Sequence, residues 1–223
     1  MKQIKLLFLL ASASVTGAFA QSNGLTDMSQ SRYAKMANTG IDAVHWTNGF
    51  WGERFNVFSG TSLQSMWNTW NTPEVSHGFR NFEIAAGVCK GEHWGPPFHD
   101  GDMYKWMEGV ASVYAVNKDP ELDKLMDNFI ACVVKAQRAD GYIHTPVVIE
   151  ELNKGIDSHT LADSQQQTVI GTKVGSEDEK GAFANRLNFE TYNLGHLMMA
   201  GIVHHRATGK TTLFDAAVKA TDF

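Results

Sequence analysis

MYKWMEGVASVYAVNKDPELDKLMDNFIACVVKA, residues 103–136, carries the signals that decide the fold. Trp106, Val110, Val113 and Tyr114 recur at helical spacing, so 103–116 reads as one amphipathic helix. Asp100 or Asp102 stands where an N-cap for it is expected. Asp119-Pro120 opens a second helix: Asp as N-cap, and Pro at the first helical position, where its missing N–H costs nothing. The apolar face of that helix is Leu122, Leu125, Met126, Phe129, Val133 and Ala136, and Asp140-Gly141 ends it.

Further along, Glu190–Thr208 reads as another helix, with Leu194, Leu197, Met198, Ile202 and His205 on its apolar side and Gly209 as its stop. A fourth, at 211–223, carries Leu213, Phe214, Ala217, Val218 and Thr221. The four helices form two copies of one unit. Tyr104 and Tyr192 lie 88 positions apart, and so do Leu125-Met126-Asp127 and Leu213-Phe214-Asp215. A repeat of this kind implies stacked helical hairpins, each burying its face against its neighbours. Six such hairpins closed in a ring make an (α/α)6 barrel. The expected fold is therefore all-α, part of such a six-hairpin toroid. The last helix reaches Asp222-Phe223 without Gly, Pro or a polar tail, so the toroid is expected to be truncated here.

Working outward from the hairpins, residues 45–106 hold all six tryptophans and two proline breaks, Thr72-Pro73 and Gly95-Pro96-Pro97. Helices joined by substantial loops are expected there. Residues 146–188 are poor in long apolar side chains and read as a long excursion, either a functional loop or a disordered one. At the other end, Lys2 and Lys5, the apolar and small-residue run 6–15, and Ala18-Phe19-Ala20 form a secretory signal at 1–20. The apolar run is too short to span a bilayer comfortably. A mature chain is expected from Gln21, with a lead-in at 21–44 and the barrel segment at 45–223. It should be secreted or periplasmic, with no membrane span after cleavage.

The net charge of −5 comes with no basic tract, which argues against nucleic acid as a partner. The two cysteines, Cys89 and Cys132, lie in no CxxC or Cys/His zinc pattern. Export would permit a disulfide between them, but spacing alone leaves the pairing open.

Four clusters carry candidate chemistry. The tryptophans offer flat faces that pack on sugar C–H groups, or they fill the core. Glu92-His93-Trp94 and Phe98-His99-Asp100-Gly101-Asp102 gather acids and imidazoles that could grip hydroxyls, or the acids could simply cap a helix. His144, in Asp140-Gly141-Tyr142-Ile143-His144-Thr145, follows a helix end where barrel loops line a cleft. Glu190, Tyr192, Asn193 and His196 stand in steps of three and four, which puts them on one side of a helix start. The expected substrate contacts are Asp100, Asp102, His144, Glu190, Tyr192 and His196, three places that a barrel end would bring together. No catalytic residue and no metal ligand is expected within the chain.

Five landmarks stand in order: Phe50-Trp51-Gly52-Glu53-Arg54, Asp100-Gly101-Asp102-Met103-Tyr104-Lys105-Trp106, Ala139-Asp140-Gly141-Tyr142-Ile143, Tyr192-Asn193-Leu194-Gly195-His196-Leu197 and Ala207-Thr208-Gly209-Lys210. Together they resemble glycoside hydrolase family 127 and its relatives, the β-L-arabinofuranosidase-like six-hairpin glycosidases. The resemblance implies an (α/α)6 barrel followed by β-sandwich domains, an oligo- or polysaccharide substrate, and retaining hydrolysis of terminal β-L-arabinofuranosides. It also implies a zinc-held cysteine thiolate as nucleophile and a separate glutamate as acid/base, all beyond Phe223; zinc coordination deprotonates a thiol and holds it in place. Two places depart from the family's pattern: Phe189, where a His often precedes Glu-Leu-Tyr, and Leu63-Gln64-Ser65-Met66, which lacks the usual polar pattern. The alternatives kept beside the hydrolase are a non-catalytic carbohydrate-binding or scaffold protein on the same toroid, and a lyase or epimerase on a similar barrel.

Overall fold

The computed structural model describes residues 24–156, 182–183 and 186–223. The expected signal segment, and most of the excursion (157–181 and 184–185), lie outside the described residues. Eight α-helices are described: α1 Gly49–Val57, α2 Leu63–Trp70, α3 Gly78–Ala85, α4 His99–Asn117, α5 Pro120–Ala136, α6 Thr145–Asn153, α7 Glu190–Thr208 and α8 Thr212–Thr221. A wide π turn at Phe58–Ser62 carries α1 into α2, and a 3₁₀ turn at Arg186–Asn188 leads into α7. Among the described residues there is no strand, and no helix is long and apolar enough to cross a membrane.

The hairpin signals act as their chemistry requires. The Asp119 carboxylate accepts the Glu121 N–H at 2.9 Å, with Pro120 beginning the helix behind it. Such a cap is worth about 1 kcal/mol. Gly209 closes α7 at φ 78°, the left-handed region where a side chain is strained. The hairpins α4–α5 and α7–α8 stack in register: α4 lies along α7, and α5 along α8. Each turn grips the other hairpin. Lys118 Nζ donates to the Ala207 carbonyl near the end of α7 at 3.0 Å, where a cation also suits the helix dipole. Lys210 Nζ lies 2.7 Å from Asp123 and 2.8 Å from Asp127 on α5.

The core is an aromatic hub under α3, α4 and α5. Phe82, Tyr104, Trp106 and Phe129 are all sealed from solvent, with Phe82 and Phe129 edge-on at 5.1 Å and Trp67 stacked on Trp106 at 4.9 Å. Edge-to-face and offset pairs of this kind match the charge pattern of the rings. Only half of the tryptophans pack inside: Trp106 fully and Trp67 and Trp70 partly, while Trp46, Trp51 and Trp94 are exposed.

Three expectations are corrected. The helix expected at 103–116 begins at His99, so Asp100 and Asp102 sit inside it and neither caps it. The excursion expected from Pro146 begins instead with α6, whose Thr145, Pro146, Val147, Val148 and Ile149 are buried. Finally, α7 turns a different face inward. It buries Asn193, Leu197, Ala200, Gly201, Val203, His204 and Ala207; of the expected face only Leu197 is buried, and Met198 is exposed. The reason is proximity to α8. A Cβ on Gly201 would stand 3.2 Å from the Leu213 carbonyl oxygen and the Phe214 Cα, so only small residues fit that side.

Candidate functional site

The starts of α4, α6 and α7 meet at the end of the stack opposite the hairpin turns. Asp100 occupies the second position of α4 and is 1% exposed. Its carboxylate reaches across to α6, accepting the Thr145 N–H at 2.8 Å and the Thr145 hydroxyl at 2.6 Å. Asp100 thus caps α6 from a neighbouring helix. His144 Nδ1 stands 3.5 Å from the same carboxylate and 3.4 Å from Asn193 Nδ2. Asn193 completes the junction by donating to the Pro97 carbonyl and accepting the Gly101 N–H, both at 2.9 Å. Gly101 is required there: a Cβ would come within 2.7 Å of Asn193 Oδ1 and of the Tyr192 ring. Burial raises the Asp100 carboxyl, but hydrogen bonding and charge from His144, with the two Thr145 donors, outweigh it and hold the group below its usual value.

Around this junction lie polar atoms that find no partner among the described residues. His144 Nε2, His93 Nε2, His99 Nδ1, His77 Nδ1 and Trp70 Nε1 are all buried and unpaired. His93 interacts electrostatically with Asp100, His144, His99 and His77, and burial pulls its imidazole down to about 4. Burial lowers His99 as well. His99 depends on Gly95, whose φ is 104° and whose added Cβ would lie 2.4 Å from the imidazole. Asn81 pins the loop by bonding both backbone groups of Trp94, at 3.1 and 3.3 Å.

A second wall comes from the loop between α5 and α6. Arg138, 4% exposed, pairs with Asp140 and, at 3.1 Å, with Glu151. Tyr142 follows and donates its hydroxyl to Glu190 Oε1, while Glu190 Oε2 accepts the Phe183 N–H at 2.8 Å. Burial, reinforced by Glu190, pushes the Tyr142 hydroxyl well above its ordinary range. On the rim, Asp102 pairs with Lys105 at 2.8 Å, and Lys105 donates to the Tyr192 hydroxyl at 2.7 Å. The Tyr192 ring stands edge-on to His196 at 4.7 Å, and His196 Nδ1 lies 3.5 Å from Glu108.

All six sequence-expected residues therefore come together, in three settings. Asp100 and His144 are sealed at the junction, Glu190 is locked against Tyr142, and Asp102, Tyr192 and His196 form the rim. His93, singled out in the Glu92-His93-Trp94 cluster though not among the six expected contacts, joins the site, and Asn81, Gly95 and Arg138 were not anticipated. Asn81 had a readable signal, a lone amide on the buried face of a short helix; Arg138 had none, since only the fold shows it to be buried. Among the described residues no group of three or more His, Cys, Asp and Glu side chains is arranged to hold a metal ion. Burial raises the thiols of both Cys89 and Cys132, which suits structural rather than nucleophilic cysteines.

Stacked hairpins in the manner of an (α/α)6 barrel define the class of the fold, with a polar cluster at one end. The sequence profile of the β-L-arabinofuranosidase, GH127 catalytic domain matches residues 43–223, and the chain belongs to that family. It is 31% identical over 147 residues to a non-reducing end β-L-arabinofuranosidase of Bifidobacterium longum subsp. longum, covering 66% of this chain and 19% of that protein. A solved glycoside hydrolase is 66% identical with a TM-score of 0.56, over 91% of this chain and 22% of that one. A GH127 β-L-arabinofuranosidase from Geobacillus stearothermophilus T6 superposes with a TM-score of 0.63 at 32% identity, over 80% of this chain and 25% of that one. The chain thus spans roughly a fifth to a quarter of the length of these relatives.

Proposed function

We propose that this chain is the N-terminal part of the catalytic domain of an exported glycoside hydrolase that releases terminal β-L-arabinofuranosyl groups from plant-type glycans. The convergence of the α4, α6 and α7 starts on one cluster of acids, amides and imidazoles is the observation that carries the reading, in a chain that belongs to this family. Imidazole nitrogens on His93, His99 and His144 that have no partner among the described residues match the donors and acceptors of sugar hydroxyls. Asp100 and Asn193 hold the His144 ring in place, while Asp102, Glu190, Tyr192 and His196 border the approach. A buried polar group left unpaired costs about 1–3 kcal/mol, so a ligand that pairs with it gains selectivity.

The nucleophile and the acid/base are placed beyond Phe223. Two findings support this: the short span relative to the relatives, and thiols raised by burial at Cys89 and Cys132. Among the described residues, no group of His, Cys, Asp and Glu side chains fits the zinc that the family resemblance implies. Export rests on the basic start, apolar run and Ala18-Phe19-Ala20.

The longest polypeptide the gene encodes should release L-arabinose from terminal β-L-arabinofuranosides, and residues 21–223 alone should release none. Turnover by 21–223 would refute the placement of the nucleophile. Sugar binding without turnover by the longest form would make the protein a non-catalytic binder. Mass spectrometry of the exported protein should find Gln21 first; an intact Met1 would refute export by cleavage.

A further inference from the structure

We infer that Cys89 and Cys132 form a disulfide that staples the chain just after α3 to the second half of α5 once the protein is exported; this rests on the export proposed above. Each thiol is free in the structure, and neither is sealed from solvent. Both pack against the edge of the hydrophobic core.

The fold brings the two together from 43 positions apart. α3 lies along α5, with the Phe82 ring edge-on to Phe129 at 5.1 Å. Cys132 stands three residues beyond Phe129, one step along the same side of α5. Glu83 is next to Phe82, and its carbonyl accepts the Val88 N–H at 2.9 Å, which turns the chain back and sets Cys89 beside the end of α3. Glu83 is therefore a common neighbour. Its carboxylate acts on both thiols, and the Cys89 thiol acts in turn on Cys132. A disulfide requires Cα atoms about 4.4–6.8 Å apart. The turn before Cys89 has room to adjust to that: Gly87 holds φ 68°, and an added Cβ there would meet only open space.

The oxidant is a disulfide of the export compartment, carried by an oxidoreductase protein or by a small thiol. Cys89 is the attacking group, because the Arg80 guanidinium near it partly offsets the effect of burial on its thiol. Its thiolate attacks one sulfur of the donor disulfide, which breaks that bond and releases one donor thiol. Cys132, after losing its proton, displaces the second donor sulfur and forms the Cys89–Cys132 bond. Two protons and two electrons pass from the pair to the donor, which leaves as two thiols. The staple fixes the start of the stretch that carries His93 and Gly95 to the polar cluster. Asn153 holds that stretch at the Gly91 carbonyl, at 2.9 Å, and Asn81 holds it at Trp94.

The test is a tryptic digest of the exported protein, the longest polypeptide the gene encodes, alkylated with iodoacetamide and left unreduced. Mass spectrometry should find residues 81–90 joined to residues 125–135, since Arg80, Lys90, Lys124 and Lys135 bound those peptides. Alkylation of both cysteines, or a bond from either to another cysteine, would overturn the staple. A cross-link closing a loop of this length should also place the wild-type melting temperature about 5–10 °C above that of Cys132→Ser, and dithiothreitol should abolish the difference. A difference that survives reduction would overturn the stabilising role. The same digest reports the first residue of the chain, so the two readings fail separately. If Met1 is retained, export falls, and the staple is judged by treating the purified protein with oxidised glutathione. The joined peptide then upholds it; free or glutathione-capped thiols overturn it.

Discussion

At the turn end of the two hairpins, Lys118 and Lys210 reach to the neighbouring helices and meet a carbonyl or a pair of carboxylates close to solvent. At the opposite end, Asp100, His144 and Asn193 are closed off from water, and five nearby ring nitrogens have no partner among the described residues. The first arrangement makes contacts that cost little and each contribute little. The second keeps buried polar atoms that the hydrophobic hub next door would be more stable without. That contrast separates an end that joins the repeats from the end proposed to serve a ligand. His204, buried near the turn end with neither nitrogen paired among the described residues, is the exception to it.

The largest expected effect comes from breaking the ligand end. Asp100→Ala leaves two Thr145 donors and His144 without their carboxylate, and should cost about 3 kcal/mol in denaturant melts. Loss of less than about 1 kcal/mol would show the junction to be loose and the contrast overstated.

Acid titration comes next. Burial pulls His93 and His204 down to about 4 from 6.5, so between those values the unfolded chain takes up protons that the fold refuses. Stability is then complete above about pH 6.5 and lost as pH falls toward 4. Asp100, depressed in the fold, acts in the same sense at still lower pH, where its carboxylate is lost. His204→Leu should flatten part of the acid loss and leave sugar handling unchanged, whereas His93→Leu should flatten it and weaken sugar binding. Equal effects of the two on binding would erase the distinction between the ends.

Smaller effects belong to the turn end. Asp119→Ala should cost about 1 kcal/mol by removing the α5 cap, with KM unchanged. Lys210→Ala should cost about 0.5 kcal/mol, and less at high salt, because its partners are partly exposed. A loss above about 2 kcal/mol in either would mean that the turn end is no mere fastening.

Much of this molecule could be read from local signals. Asp119-Pro120 and Gly209 act within a few residues of themselves, so α5 and the end of α7 were legible, and so was the repeat of two hairpins. The convergence of Asp100, His144 and Glu190 at one end followed from the hairpin order. The role of Asp100 was not legible, because its partner Thr145 lies 45 residues away and an acid at a helix start looks like a cap for that helix. The face of α7 was misread for a related reason: hydrophobicity ranks Met198 above Ala200, but close approach to α8 selects for small size. The start of the excursion was misread because α6 is short, although Pro146 and three β-branched residues marked it.

What the sequence determined by itself was therefore the four helices of the two hairpins and their pairing, since caps, breakers and periodicity are properties of neighbouring residues. Tertiary structure alone decided which polar groups find partners. A carboxylate in the second position of a helix caps its own turn or another helix's according to what the packing brings within about 3 Å, and no local spacing records that distance.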